Sequence, residues 1–428
     1  MTSHFLFVTG SDSQSIVQRL YKLQDDRSYT ELYVSLIEID DLIANAIIDV
    51  LMNKERTWKG IHLAHCTGQV DTVISSALAL GSVQKLTLLP DGGTVNDKCL
   101  YALASGLPTN QSVTSLVIRV DLYKELAIAL AEGLSTNTGL QELSLILSTS
   151  DANAIAALAR GVQTNSTLRS LKLNRCSLED GHVADLVRAL ENHPSLSELS
   201  VQGSSCRAMG IIAISGLLQE SSNMKPLKLE LDLSNQDFEK DEMFGISFLA
   251  PSLPSNKSMR FLDLSSNHLT DADVTCLASA LSENSTLEEL RLVNCNISEK
   301  GAKILAAKLP QMRGLKTLWL YGNVFGRAGA TALLQAVKVN VHLEQLLLPR
   351  SRDDEPMNDI QKEMEYHLLL NRGGRQMLTH PQVPLGLWPQ VLEKAGSVDG
   401  DDYDHYVARQ ARLNALYCLL QGPALFSR

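Results

Sequence analysis

The reactive side chains of this 428-residue chain are thinly spread, and those that share a spacing are of types that bind rather than react. Lys172, Asp232, Asp263, Arg291 and Trp319 each stand between two leucines, and Tyr321 follows two residues after Trp319. Ser200 and Leu347 fill the same slot, and Asn174, Gln202, Ser234, Ser265, Val293 and Tyr321 form a second row two residues on. Trp, Tyr and Arg are the residues in which binding energy concentrates, because rings and a guanidinium plane supply large contact areas at low entropic cost. Lys172, Asp232, Asp263, Arg291, Trp319 and Tyr321 are therefore the expected partner-binding residues.

Catalytic and metal-binding readings find less support. The chain has no G-x-x-x-x-G-K-[ST], no G-x-S-x-G, no H-E-x-x-H and no G-x-G-x-x-G after a strand. His62 and His65 make only a lone H-x-x-H, and Asp399–Asp404 lacks the spacing and downstream Glu of a calcium loop. The seven cysteines Cys66, Cys99, Cys176, Cys206, Cys276, Cys295 and Cys418 include no C-x-x-C and are expected to be reduced, buried small hydrophobes. The expectation is no catalytic residue, no cofactor and no metal. A formal net charge of −10 argues against nucleic acid as a partner, since phosphate tracking needs clustered Lys and Arg. With no basic leader at Met1–Ser11 and no long uncharged apolar run, neither export nor a membrane span is expected, which points to the cytoplasm.

What must position the two rows is a repeat. An L-x-x-L-x-L pattern recurs at Leu168/Leu171/Leu173, Leu287/Leu290/Leu292, Leu315/Leu318/Leu320 and Leu343/Leu346/Leu348. Weaker copies begin at Val83, Val113, Leu140, Leu196 and Met259, with a step of about 28 residues. The x-L-x-L stretch alternates with period 2, so it predicts a short strand with leucines inward and the intervening residues outward. Segments such as Val274-Leu277-Ala278-Leu281, Ala302-Leu305-Ala306-Leu309 and Ala330-Leu333-Leu334-Val337 carry one apolar stripe at helical spacing. An Asn stands three residues before the first anchor at Asn110, Asn137, Asn165, Asn256, Asn284 and Asn340, where a left-handed helix end is expected. That role also accounts for the N-x-S/T triplets at Asn165 and Asn284 without glycosylation.

Leu262-Asp263-Leu264-Ser265-Ser266-Asn267, Leu290-Arg291-Leu292-Val293-Asn294-Cys295 and Leu318-Trp319-Leu320-Tyr321-Gly322-Asn323 resemble the ribonuclease-inhibitor class of leucine-rich repeat, including its alternation of Asn and Cys at the turn. The resemblance implies an α/β solenoid, a horseshoe with a concave parallel β-sheet and convex helices. It covers about residues 56–350 and departs from the pattern between Leu199 and Leu262, where two repeats lengthen. Residues 1–55 are expected to be degenerate N-terminal repeats forming a cap, with a possible strand at Phe5–Val8. Residues 351–428 are expected to form a helical C-terminal cap or tail: a helix opened by Asn358 and Gln361, with an Ile360/Met364/Leu368 stripe, then helices near Leu387–Ala395 and Tyr403–Leu420.

Such an array implies a non-catalytic scaffold that binds a protein partner on its concave face. Two alternatives are a GTPase-activating protein of the Ran-activator type, although the long acidic tail of that family is missing, and a ubiquitin-ligase substrate adaptor using the apolar tail at Leu385, Leu387, Trp388 and Leu392. Oligomeric state is left open by the sequence.

Overall fold

Leucine rows that no single repeat can bury must be buried by stacking, and that is how the chain folds. The computed structural model describes residues 5–10, 12–22, 29–53, 58–89, 97–122, 124–150, 152–174, 178–191, 193–202, 208–218, 228–231, 246–349 and 355–372. The described chain divides into two units, Met1–Lys240 and Asp241–Arg428.

The first unit runs β1 (Phe5–Val8), α1 (Ser13–Lys22), β2 (Glu31–Ser35), β3 (Glu38–Ile39), α2 (Asp41–Met52), β4 (Trp58–Ala64), β5 (Thr67–Gly68), α3 (Val70–Leu80), β6 (Val83–Leu89) and α4 (Asp97–Gly106). It continues through β7 (Ser115–Leu122), α5 (Lys124–Thr136), β8 (Glu142–Ser150), α6 (Ala152–Thr164), β9 (Ser170–Asn174), α7 (Asp180–Leu190), β10 (Glu198–Gln202), α8 (Ala208–Leu217) and β11 (Lys228–Leu231). Its main strands pair in the order β1-β2-β4-β6-β7-β8-β9-β10-β11, each parallel to its neighbours. The strand at Phe5–Val8 is present, in register with Glu31–Val34.

The second unit contains α9 (Ile246–Leu249), a 3₁₀ turn at Ala250–Ser252, β12 (Phe261–Asp263), α10 (Asp271–Glu283), β13 (Glu289–Arg291), α11 (Glu299–Lys308), a 3₁₀ turn at Leu309–Gln311, β14 (Thr317–Trp319), α12 (Gly326–Val339), β15 (Gln345–Leu347) and α13 (Glu355–Arg372). Here Leu262, Leu290, Leu318 and Leu346 are register partners, and Asp263, Arg291, Trp319 and Leu347 are the partners one residue on. The four anchor leucines are buried, as are the helix stripes Val274/Leu277/Ala278/Leu281, Ala302/Leu305/Ala306/Leu309 and Ala330/Leu333/Leu334/Val337. Strand and helix thus close on one apolar layer per repeat.

The asparagine before each first anchor does something other than adopt a left-handed conformation. Asn284 (φ −86°) and Asn340 (φ −75°) are extended, and none of the six asparagines is among the positive-φ residues described. The reason is a better use of the side chain. Asn284 Nδ2 donates to the carbonyls of Leu253 and Asn256, about one repeat back, while its Oδ1 accepts from the amides of Thr286 and Leu287. Asn110, Asn137, Asn165 and Asn340 repeat the arrangement, donating to Leu78, Leu107, Leu134 and Leu309 respectively. Each amide therefore satisfies buried backbone groups of two repeats at once, and those groups would otherwise cost free energy.

His193 occupies the same position before Leu196. Its Nε2 contacts Val162 O at 3.2 Å, and its Nδ1 accepts from Leu196 N at 3.1 Å. This fixes the Nε2–H tautomer. Burial holds the imidazole below its usual value of 6.5, against the raising effect of the Val162 and Asn165 backbone bonds.

In each unit an arginine donates to carbonyls of the outermost described strand. Within the array, a strand's outward-residue carbonyls accept amides from the preceding strand, as Leu264 N–H does to Arg291 O and Ser266 N–H to Val293 O. At the matching register on β1, Phe7 O and Thr9 O accept instead from Arg19 at 3.0 and 3.2 Å. In the second unit, Lys316 O accepts the amides of Glu344 and Gln345, whereas the corresponding Glu344 O accepts from Arg372 Nε at 2.8 Å. Asn371 adds donations to Asn340 O and Leu343 O.

Helix α13 begins at Glu355, three residues ahead of the expected Asn358 start, which puts Gln361 inside the helix rather than in a capping box, and its Nε2 donates to Pro349 O at 3.2 Å. The Ile360, Met364 and Leu368 stripe is buried as expected. The two further expected helices and the acidic run 399–404 lie outside the described residues.

Candidate functional site

Alternation within β12, β13 and β14 leaves two rows facing away from the leucine layer: Phe261, Glu289 and Thr317, then Asp263, Arg291 and Trp319. Adjacent parallel strands stand roughly 4.8 Å apart, which is the spacing at which flat groups on neighbouring strands stack. The Arg291 guanidinium uses it. Its Cζ lies 4.7 Å from the Phe261 ring centroid and 4.6 Å from that of Trp319. Its edges are held by carboxylates: Nε donates to Glu289 Oε1 at 2.7 Å, and one terminal nitrogen lies 3.9 Å from Asp263 Oδ2.

Asp263 is itself fixed, its Oδ1 accepting Ser265 N at 2.9 Å, and Ser265 Oγ accepts Val293 N at 3.1 Å. The plate of ring, guanidinium and ring is therefore preorganised, with Arg291 still one-third exposed (side chain 33%). Trp319 is half-buried, and its indole N–H has no hydrogen-bond partner among the described residues. Tyr321 extends the surface, 50% exposed.

Four of the six sequence-expected residues, Asp263, Arg291, Trp319 and Tyr321, thus lie in the second unit on adjoining repeats. Lys172 belongs to the first unit, where its Nζ lies 3.2 Å from Glu198 Oε1, and Ser170 Oγ donates to the other carboxylate oxygen at 2.7 Å. Asp232 lies outside the described residues. Phe261 and Glu289, which complete the stack, were not singled out from the sequence. They sit two residues before the chosen row on the same face, and the period of 2 that marked Asp263 and Arg291 would have found them.

The turns after β12, β13 and β14 are braced by the alternating Asn267, Cys295 and Asn323. Asn323 Nδ2 donates to Leu292 O and Leu320 O, its Oδ1 accepts the amides of Cys295 and Ile297, and Cys295 Sγ contacts Leu264 O at 3.1 Å. Gly322 (φ +75°) is required there, because a Cβ would collide with the Asn294 side chain.

Reactive groups elsewhere are subdued. Burial pushes the Cys66 thiol up to about 11 and the Cys99 thiol up to about 12, so neither is a thiolate near neutral pH. Cys295 is buried, whereas Cys276 is exposed, against expectation; Cys176, Cys206 and Cys418 lie outside the described residues. Among the described residues no group of three or more His, Cys, Asp or Glu could hold a metal, and no helix is long and apolar enough to cross a membrane. His62 is buried in β4 and bonded to Glu31, while His65 is exposed at the strand's end with φ 57°.

A family model described as a leucine-rich repeat matches residues 255–278 and 283–306, the repeats that carry Phe261 and Arg291. A mouse (Mus musculus) ribonuclease inhibitor is 38% identical over 98 residues, covering 22% of each chain. The chain carries leucine-rich repeats of the ribonuclease-inhibitor type.

Other leucine-rich-repeat relatives are larger. NACHT, LRR and PYD domains-containing protein 14 of Mus musculus is 33% identical over 125 residues, 29% of this chain and 12% of that protein. The Bos taurus NACHT, LRR and PYD domains-containing protein 9 is 41% identical over 91 residues, 21% of this chain and 9% of its own length. The matches therefore span only a small share of these relatives.

Proposed function

We propose that this leucine-rich-repeat protein is a non-catalytic, cytoplasmic scaffold that binds a protein partner on the strand face of its array. The anchor is the Phe261–Arg291–Trp319 stack with Tyr321 beside it. The observation that carries the reading is the preorganised guanidinium: two rings and two carboxylates hold it in place before any partner arrives, so binding need not freeze a flexible side chain. An open face of this kind suits burial of a broad folded surface with energy concentrated in a few aromatic and arginine anchors.

The test is quantitative affinity capture with the full chain, comparing wild type, Arg291→Ala with Trp319→Ala, and Lys303→Ala on the exposed side of α11 as a control. Partners recovered by wild type and by the control but depleted from the double variant support the assignment. An unchanged set of partners removes this face from consideration.

A further inference from the structure

An apolar row crosses the helix side of the first unit, on residues the strand-face reading does not use. Nine residues before Asn110, Asn137, Asn165 and His193 stand Tyr101, Ile128, Ala156 and Ala184 on α4, α5, α6 and α7, and one more 28-residue step reaches Ile212 on α8. Each of these helices packs on the next, so the five positions form one line. Tyr101, Ile128 and Ile212 are exposed and both alanines are half-buried, while Met209, 64% exposed, widens the line at α8. The fold does not require apolar residues here, because the same position in the second unit carries exposed Thr275, Lys303 and Thr331. Single exposed hydrophobics are ordinary, but a line of them across five helices marks an interaction surface.

Size and shape say what the row fits. Helix spacings of about 10 Å from α4 to α8, and about two turns along each helix, give roughly 600 Å², the lower end of what each partner contributes to a specific interface. Strands about 4.8 Å apart beneath helices about 10 Å apart make the helix layer of this unit convex. Two such layers laid face to face touch at the centre and diverge outward. The row is graded to match, with Ala156 at the middle and Tyr101 and Ile212 at the ends.

We propose that this helix face is a dimer interface, on which two copies of the chain meet across a two-fold axis along α6. The axis sets Ile128 against Ala184 of the second copy, a large side chain on a small one, and Tyr101 against Ile212. Charge agrees with shape. One turn further along the helices, exposed Glu132 on α5 meets Arg188 on α7 of the second copy, and the symmetry repeats the pair. Arg188 bonds Asp185 of its own helix at 2.8 Å with its side chain 72% exposed, which leaves room for a second carboxylate. Arg160 on α6 meets its own copy, and that contact opposes association. The strand face stays free in the dimer, so this interface and the Arg291 and Trp319 stack stand or fall separately.

The test is sedimentation equilibrium of the full chain. Wild type is compared with Ile128→Glu, Glu132→Arg, Arg188→Glu, the double variant Glu132→Arg with Arg188→Glu, Arg160→Gln, and Thr275→Glu in the second unit as a control. All these side chains are exposed, so the variants should fold, and circular dichroism checks this. Wild type is expected to dimerise with a Kd of about micromolar order. Ile128→Glu and each single charge reversal should raise that Kd roughly ten-fold or more, and the double reversal should return it to within about three-fold of wild type. Arg160→Gln should lower it, and Thr275→Glu should leave it unchanged. A wild type that stays monomeric up to about 0.1 mM, or a dimer that Ile128→Glu and both single reversals leave intact, would overturn the interface. So would a monomer that captures a different protein through Ile128.

Discussion

Arg291 meets two aromatic faces and two carboxylates at once, and its planarity is what allows this. Lys would keep the charge and lose the plate. Partner affinity in Arg291→Lys should therefore fall nearly as far as in Arg291→Ala, whereas a purely electrostatic role predicts near-wild-type binding for Lys; isothermal titration separates the two. Trp319→Ala should weaken binding by about 2 kcal/mol or more, the range of a hot-spot anchor.

His193 makes a prediction about pH. Its folded-state value is lowered, so the unfolded chain binds more protons as pH falls, and the stabilisation present above about 6.5 is lost as pH drops through the folded value. Protonation would also turn the Nδ1 acceptor into a donor facing two backbone amides. His193→Asn restores the amide used at the equivalent positions, so its thermal midpoint should decline less than that of wild type between pH 7.5 and pH 5. An equal decline in both proteins would mean that His193 is not the group responsible.

At the scale of elements, the strands and helices were legible from leucine spacing, because a fixed period of anchors has one way to stack. The buried stripes of α10, α11 and α12 fall where the helical spacing put them. The asparagine positions were equally visible, but their role was misassigned: a local helix-end conformation is a sequence-neighbour idea, whereas the bonds reach carbonyls 28 and 31 residues away. His193 carries no such mark in the sequence, because an imidazole there does the work of the asparagine amide. The arginine closures by Arg19 and Arg372 were not legible, since their partners are backbone carbonyls, which carry no sequence signature.

The ladder and the closures predict different costs. Asn284→Ala strands several buried backbone groups and should destabilise by about 3 kcal/mol in urea unfolding, on the scale of unmade buried hydrogen bonds. Arg372→Ala exposes one edge carbonyl to water and should cost about 1 kcal/mol, seen mainly as faster hydrogen exchange at β15 and the end of α13. Comparable losses from the two substitutions would show that the side-chain ladder is not what joins successive repeats.

For the molecule as a whole, a net charge of −10 and carboxylates at Asp263 and Glu289 on the strand face suit the proposed protein partner better than a phosphate backbone. The leucine-rich-repeat class was readable from the sequence because its motif repeats. The binding face was only partly readable, because outward positions obey no pattern beyond alternation. The most direct test of the account is hydrogen–deuterium exchange on the full chain with a captured partner bound. Binding to the strand face predicts new protection in β12 to β15 and the turn at Tyr321, with α10, α11 and α12 unchanged. Protection confined to those helices would contradict it.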